Sequence, residues 1–361
     1  MAQTEFGTNS SQTVKLWGSL LLKAALKQTQ FSLFMGSSGD SIIQRVTDLE
    51  KSAGDDIRYD LLTAMTGEGV TGDDRLADNE EPLVYQQDRV KIDQLRNGHA
   101  FTRMSQQRTL HDLRKDGQSN LSKWFKNKFD SYMCRCLCGD TTLTHGQTAT
   151  APSTNRYVLS GSVAKTGVIA TDEASIGSSH QITLADLDFA KELAETVDPM
   201  IETTTINGKP YYVVVLHPYS VVDLKLDTAG SSYTTWGEIQ MNANKRGLDN
   251  PIFSGALGVY NGMILMANNR IYNPTGSVRR NLFLGRQAGV FGLGGAYDKI
   301  DTKKFGGDNP LVSWTERSDD FGNVKGVAAG CVFGMNKSVF DSEDYGTIVI
   351  SSYAASHTTI N

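Results

Sequence analysis

The segment 105–138 reads SQQRTLHDLRKDGQSNLSKWFKNKFDSYMCRCLC, and its pattern determines much of the fold. Apolar side chains recur every three or four residues, which marks one face of a long amphipathic helix. They are Leu110, Leu113, Leu121, Trp124, Phe125, Tyr132, Cys136 and Leu137. Thr109 and Asp112 form a capping-box pattern, with Ser105 as an alternative cap. The helix would be roughly 50 Å long and act as a strut. The alternative is a break at Gly117 into two ordinary helices.

Two strand candidates precede this helix, at residues 56–65 and 83–95, where apolar and polar residues alternate. Strands of this length would form arms of roughly 35–40 Å. The intervening sequence 67–82, GEGVTGDDRLADNEEP, is rich in glycine and carboxylates, which predicts a polar, flexible hairpin tip. Two strands alone are marginally stable in water, and their free edges can pair with another chain. We therefore expect this arm to lie on a neighbouring subunit.

The candidate interface residues are those of the hairpin tip. They are Gly67, Glu68, Gly69, Gly72, Asp73, Asp74, Arg75, Glu80 and Glu81. Acidic residues could attract Ca²⁺, but Asp73-Asp74-Arg75 interrupts the alternating ligand pattern of a calcium loop. A solvated or subunit-facing acidic surface is the preferred interpretation.

The N-terminal part is predicted to be an extended arm. Residues 1–12 are small and polar, which is typical of a mobile terminus. Residues 14–26 form an amphipathic pattern and predict a short helix, and residues 42–49 predict a strand.

After the long helix, residues 140–182 are predicted to be loop with one weak strand at 157–159. Thr183 and Asp186 form a capping box that opens a helix ending near residue 197. The run YYVVVLHP predicts a buried strand, and Pro218 opens the next helix. A further helix is predicted at 236–248.

The C-terminal third is dominated by strands. Residues 263–266 predict one strand, and residues 281–295 predict two short strands or a strand and a helix start. Two long strands are joined through residues 320–323, and residues 345–353 form the last strand.

Composition supports a mixed α+β protein. The 361 residues are 39% apolar and include 35 glycines, which favours strands and loops over a helical bundle. The formal net charge of −5 indicates that the chain is not built to bind nucleic acid through its phosphates. The sequence contains neither a secretory signal nor an apolar run of membrane length. The cysteines are therefore interpreted as reduced thiols in a cytosol.

No catalytic pattern is convincing. The glycines of 292–295 lack the spacing of a dinucleotide loop, and in 162–167 the Ser-x-x-Lys and Lys-Thr-Gly boxes of penicillin-recognising enzymes overlap. The histidines are scattered, and His217 at a strand end is more typical of a structural role. Cys134, Cys136 and Cys138 point to different helix faces, which favours packing over metal binding. We expect no enzyme activity, cofactor or metal.

Six sequence blocks resemble one family, the major capsid proteins of tailed bacteriophages with the Hong Kong 97-type fold. The chain is most similar to the N-four-like podophage branch. The blocks are EFGTNSSQTVKLWGSLLLKAALKQT, GEGVTGDDRLADNEEPL, DQLRNGHAFTRMSQQR, NGKPYYVVVLHPYSVVDLK, NPIFSGALGVYNGMILM and FGNVKGVAAGCVFGMNKSVF. The resemblance extends over nearly the whole chain, and its weakest part is 140–182, where we expect a divergent loop or surface insertion.

This resemblance implies a domain organisation. Residues 1–50 would be the N-terminal arm, 54–100 the extended loop, and 103–182 the periphery domain with its spine helix. Residues 183–290 would be the axial domain, and 291–361 would return to the periphery domain.

The resemblance also implies a function in self-assembly. Copies would form the hexamers and pentamers of an icosahedral virion shell that encloses double-stranded DNA without sequence-specific binding. Scaffold, portal and decoration proteins are further partner classes, membranes are not, and assembly would occur in the bacterial cytoplasm. The alternatives are an encapsulin-like bacterial nanocompartment shell and another virion structural component.

Overall fold

A computed structural model describes most of the chain. The described residues are 25, 29–49, 54–62, 69–72, 75–77, 80, 82–83, 85–160, 173–206, 208–226, 256–295 and 312–357. The predicted mobile arm 1–12, nearly all of the predicted helix 14–26 and the predicted helix 236–248 lie outside these ranges.

The described residues form four α-helices and nineteen strands. The helices are α1 (Arg103–Arg108), α2 (Leu113–Leu137), α3 (Leu184–Thr196) and α4 (Pro218–Leu226). The strands up to the first helix are β1 (Met35–Gly36), β2 (Ile43–Leu49), β3 (Asp56–Leu62), β4 (Tyr85–Lys91) and β5 (Asp93–Thr102). Those in the middle of the chain are β6 (Thr144–His145), β7 (Gln147–Thr148), β8 (Tyr157–Leu159), β9 (Thr204–Ile206), β10 (Lys209–Leu216), β11 (Ala256–Tyr260) and β12 (Met263–Ala267). The last are β13 (Val278–Leu284), β14 (Gly289–Gly294), β15 (Val312–Asp319), β16 (Val324–Lys337), β17 (Val339–Phe340), β18 (Glu343–Asp344) and β19 (Thr347–Tyr353).

Two larger sheets organise these strands. The first contains β1, β2, β14, β16 and β15 in that order, with β5 paired to β16. The second contains β11, β12, β10, β13, β19 and β8 in that order, with β9 paired to β10. Both sheets mix parallel and antiparallel pairs, because β2 runs parallel to β14 and β10 runs parallel to β12.

Helix α2 packs against the first sheet. Its buried residues Leu121, Phe125, Phe129 and Met133 repeat every four residues, which places them along one face of the helix. The ring of Phe129 lies 5.0 Å from that of Phe333 on β16, in an edge-to-face arrangement. This row of side chains joins the helix to a buried cluster that both sheets share, since it also contains Val213 and Leu282 of the second sheet.

The long helix is shorter than the sequence predicts, and its break lies elsewhere. Helix α1 ends at Arg108, and α2 begins at Leu113 because the side chain of Asp112 accepts hydrogen bonds from two backbone amides of the first turn. Thr109 Oγ1 instead accepts from His111 N at 3.2 Å. Gly117 lies inside α2, where a Cβ would stand 3.1 Å from Val327. The single 105–138 helix and the alternative break at Gly117 are therefore both wrong, and α2 is about 37 Å long.

The second sheet has its own helical layer. Helices α3 and α4 cover one face of it, where Leu187, Ala190 and Val221 join a second buried cluster. The predicted capping box of Thr183 and Asp186 is confirmed. The predicted helix after Pro218 is also confirmed.

The segment expected to be a divergent surface loop is mostly loop over 141–155, where Leu143 and Ala149 are the buried residues. Strand β8 is confirmed and pairs in parallel with β19. Asp140 and Arg156 are buried, and Arg156 donates to Pro199 O at 2.7 Å. Both ends of this loop are therefore fixed to the body of the chain.

The remaining strand predictions are confirmed with small changes of boundary. They are β2, β12, β13, β14, β19 and the long pair β15–β16, which is joined by a 3₁₀ turn at Asp320–Gly322.

Candidate subunit interface

The predicted hairpin exists, but its second strand is shorter than expected. Strands β3 and β4 pair antiparallel from Asp56 with Lys91 to Leu62 with Tyr85. The chain then changes partner at Ile92, and β5 pairs with β16 along ten residues. The single strand predicted at 83–95 is therefore two strands, and only the first belongs to the hairpin.

A partly buried polar cluster fixes the base of the hairpin to the body of the same chain. The Asp88 carboxylate accepts from Tyr59 Oη at 2.6 Å, from Asn336 Nδ2 at 3.1 and 3.3 Å, and from Val339 N at 3.2 Å. Burial, followed by the nearby charge of Asp88, raises the pKa of Tyr59. Tyr59 therefore remains a neutral donor, and the cluster joins both hairpin strands to the end of β16.

Two glycines make room for the base of the hairpin to pack on the body of the chain. Ile57 and Val90 are buried, and a Cβ on Gly292 would come within 2.7 Å of Ile57. A Cβ on Gly334 would come within 2.1 Å of Lys91 O. Only glycine allows the hairpin to approach this closely. The expectation that the whole arm lies on a neighbour is therefore wrong for its near half, which packs on its own subunit.

The part of the hairpin beyond this base, which includes Leu76, Leu83 and Tyr85, is called the far half, and its environment is different. Leu76, Leu83 and Tyr85 are 60%, 57% and 60% exposed. Three exposed large apolar side chains within ten residues are unfavourable in water and are typical of a contact surface. The far half is therefore the part of the arm that another molecule could cover.

The structure places four of the nine predicted tip residues. Gly69 and Gly72 have φ angles of +72° and +69°, and a Cβ would meet nothing within 4 Å at either position. Arg75 and Glu80 are exposed. Gly67, Glu68, Asp73, Asp74 and Glu81 lie outside the described residues. The positive φ angles explain glycine at two positions, because other residues adopt this conformation at a cost.

The structure gives ordinary packing roles to several residues considered for chemistry. Gly292 and Gly294 lie in the buried strand β14 and make room for Ile57 and Ile92. His217 Nδ1 accepts from Tyr219 N at 3.2 Å, and burial together with the charge of Arg279 lowers its pKa to about 4. A neutral, hydrogen-bonded imidazole at a strand end fits the structural role. The overlapping boxes of 162–167 lie outside the described residues.

The cysteines are buried and unbridged. All four are free thiols, and burial raises the pKa of Cys136 to about 11 and that of Cys138 to about 12. Protonated thiols are poor nucleophiles and poor metal ligands. Within the described ranges, no three His, Cys, Asp or Glu side chains are grouped to hold a metal ion. None of the helices described has the length and apolar character needed to cross a bilayer.

Comparison with known proteins identifies the family. The pattern of the phage capsid protein family matches residues 5–356, nearly the whole chain. The chain belongs to the phage capsid protein family. A curated relative, the major capsid protein of Pseudomonas phage KPP25, is 26% identical over 378 aligned residues, which cover 96% of each chain.

Solved structures agree with this membership. The capsid of Ralstonia phage GP4 is 30% identical, with a TM-score of 0.76 over 92% of this chain and 93% of that one. The capsid of cyanophage Pam1 shares the fold at 21% identity, with a TM-score of 0.69 over 91% and 93%. The head structure of Helicobacter pylori bacteriophage KHP40 shares it at 14%, with a TM-score of 0.63 over 91% of each chain.

These matches decide among the functions predicted from the sequence. The Hong Kong 97-type capsid fold and the role of a phage major capsid protein are confirmed, and the matches favour that role over a bacterial nanocompartment shell. The relatives are structural proteins, which confirms that this capsid protein is not an enzyme. The narrower N-four-like branch stays a prediction.

Sequence reasoning missed the residues that fix the arm of this capsid protein. Asp88 and Asn336 lie far apart in sequence and meet only because β4 runs beside the end of β16. No local signal identifies such a pair. By contrast, Phe321 stands in a turn that the sequence does predict. An aromatic residue among Asp and Gly was the signal that could have marked this turn as a candidate contact.

Proposed function

We propose that this capsid protein builds its shell from hexamers and pentamers by extending the far half of the β3–β4 hairpin over a neighbouring copy. The observation that carries the proposal is the exposure of Leu76, Leu83 and Tyr85 beyond a firmly anchored base. A fixed base directs the arm, and an exposed apolar end supplies the contact.

The nine tip residues would then lie at the contact between subunits. Each arm contact is small, but every subunit both gives and receives one, and closure of a shell multiplies them. Weak individual contacts let wrong arrangements dissociate during assembly.

The domain organisation implied by the resemblance is part of this proposal. The first sheet with α2 would form most of the periphery domain, and the second sheet with α3 and α4 most of the axial domain, where copies would meet at the centre of a hexamer or pentamer. Strands β8 and β19 of the second sheet come from the ranges 103–182 and 291–361, so the two domains would share this sheet. Strand β14 returns the chain to the first sheet, which supports a boundary near residue 290.

The wider setting is proposed on the same basis. The shell would assemble in the bacterial cytoplasm and enclose double-stranded DNA without reading its sequence. Scaffold, portal and decoration proteins are the partner classes that such assembly would use. The net charge of −5 supports weak contact with DNA, since few phosphates would be neutralised.

Negative-stain microscopy of the purified protein tests the proposal. The wild type should form closed shells, and a Leu83→Ser, Tyr85→Ser variant should remain as isolated subunits or small rings. A matched Leu83→Met, Tyr85→Phe variant keeps the apolar surface and should assemble. Shells of normal yield from the serine variant would contradict a role for the hairpin.

A further inference from the structure

The turn between β15 and β16 presents an unusual apolar side chain to solvent. Phe321 is 111% exposed, which makes it one of the two most exposed large apolar residues in the described part of the chain. Leu110, at 106%, is the other. A phenylalanine held fully in water, away from any core, is typical of an anchor that fills a pocket on a partner.

The backbone of this turn is strained, and its conformation holds the ring of Phe321 in solvent. Asp320 and Phe321 have φ angles of 49° and 48°, a left-handed conformation that non-glycine residues rarely adopt. Asn323 holds the turn by donating to Asp320 O at 2.9 Å through its backbone and to Asp320 Oδ2 at 3.1 Å through its side chain. Strain retained at an exposed position suggests a functional constraint.

A groove lies a few residues away on the same sheet. It has a volume of about 230 Å³, and its apolar lining comes from Phe101 on β5 and Val327 on β16. Gly326 also lines it, and a Cβ there would have its nearest neighbours 3.8–4.0 Å away. A cavity of ~150 Å³ can hold benzene, so this groove has room for a phenyl ring.

Charge favours the same pairing between ring and groove. Asp320 lies next to Phe321 and gives this projection a negative charge. Two of the cationic side chains that line the groove are paired within the chain, Arg114 with Glu316 and Arg317 with Asp319. Lys325 supplies the remaining positive charge of the groove, and a negative charge beside an apolar anchor complements it.

We propose that Phe321 of one copy inserts into the groove of a second copy, with Asp320 of the turn against Lys325. The anchor and the groove are different patches of the chain, so the contact is heterologous, and it gives a ring where the rotation between successive copies closes. This inference rests on the proposed function, because it names a second contact through which copies of the shell protein associate.

Assembly of variants gives the first test. Phe321→Ser should leave the melting temperature of the subunit unchanged, because the ring has no contacts to lose, and should lower shell yield at least tenfold. Phe321→Leu should assemble. Gly326→Val fills the groove and keeps the anchor, and it should also lower the yield. Normal shells from Phe321→Ser or from Gly326→Val would overturn the pairing.

Disulfide trapping tests the contact without needing shells. All native cysteines are buried, so an introduced surface thiol is the reactive one. A Phe321→Cys variant mixed with a Ser318→Cys variant, whose new thiol lines the groove, should give a cross-linked heterodimer on oxidation. Phe321→Cys mixed with Asp60→Cys should not. Equal cross-linking in both mixtures, or none in the first, would overturn the inference, whereas wild type without shells would contradict only the proposed function.

Discussion

The side-chain amide of Asn336 donates to both carboxylate oxygens of Asp88, at 3.1 and 3.3 Å, and joins the hairpin arm to the longest strand of the first sheet. The contact spans almost 250 residues of sequence and makes the arm a directed projection. The near half of the arm therefore packs on its own subunit, and the far half does not.

Removal of the Asp88 carboxylate should loosen the arm at its base. Asp88→Ala leaves Tyr59 Oη and Val339 N without this acceptor and leaves Asn336 Nδ2 only Arg89 O, at 3.0 Å, so it should lower the free energy of unfolding by about 1–3 kcal/mol. Denaturant unfolding measures this loss. Asp60→Ala, at an exposed position on the same hairpin, is the control and should change stability by less than about 0.5 kcal/mol. Equal effects of the two variants would count against the anchoring role.

Two glycines of β16 should differ sharply in their tolerance of alanine. Gly334→Ala places a methyl group against Lys91 O, so the base of the hairpin must move, and stability should fall by about 1–3 kcal/mol. Gly326→Ala meets only ordinary contacts and should be neutral within about 0.5 kcal/mol. Thermal unfolding of the pair makes the comparison, and similar melting temperatures would refute the close approach of β4 to β16.

Asp130 should make stability depend on pH in a defined direction. Burial raises its pKa to about 6, although Gln30 N donates to Oδ1 and the charges of Lys126 and Arg270 act in the opposite sense. Between the ordinary aspartate value and pH 6 the folded state binds more protons than the unfolded state, so stability falls as pH rises. The loss should reach about 3 kcal/mol at most.

The variant Asp130→Asn isolates this contribution. It carries no titrating group, so the difference in unfolding free energy between wild type and variant should change across pH 4–6 and stay constant above that range. Urea titrations at several pH values provide the measurement. A difference that is independent of pH would mean that Asp130 is not held in its neutral form.

The glycines of the hairpin tip should matter for assembly more than for folding. We expect Gly67, Gly69 and Gly72 to let the tip adopt different angles in hexamers and pentamers. Alanine at positions 69 and 72 must adopt a left-handed conformation, at about 1 kcal/mol each, or change the path of the tip. The triple alanine variant should therefore give few closed shells by electron microscopy, while Gly177→Ala, in open space, should assemble normally. Closed shells at normal yield from the triple variant would refute this role.

Local signals in the sequence predicted most of the elements correctly. The Thr183 and Asp186 capping box, Pro218 at a helix start and the alternation in β3 and β4 depend on neighbours within a few residues. For the same reason, the turn at Asp320–Gly322 could be placed, and the exposed tip could be nominated as an interface.

The wrong predictions concern features that depend on residues far apart in the sequence. Leu110 fits the apolar pattern of the long helix, yet it is fully exposed in the break between α1 and α2, so periodicity extended the helix across a real interruption. The change of partner at Ile92 depends on β16, more than 200 residues later. Arg156 is buried through its contact with Pro199 O, which composition could not reveal.

Amide hydrogen exchange of the far half of the hairpin tests the central claim most directly. The measurement compares the amides of residues 83–85 in dissociated subunits and in assembled shells, with the anchored residues 88–91 as an internal reference. We expect residues 83–85 to exchange rapidly in subunits and slowly in shells, while residues 88–91 are protected in both. Rapid exchange of residues 83–85 in intact shells, or equal protection in both states, would contradict the claim that a neighbouring copy covers the arm.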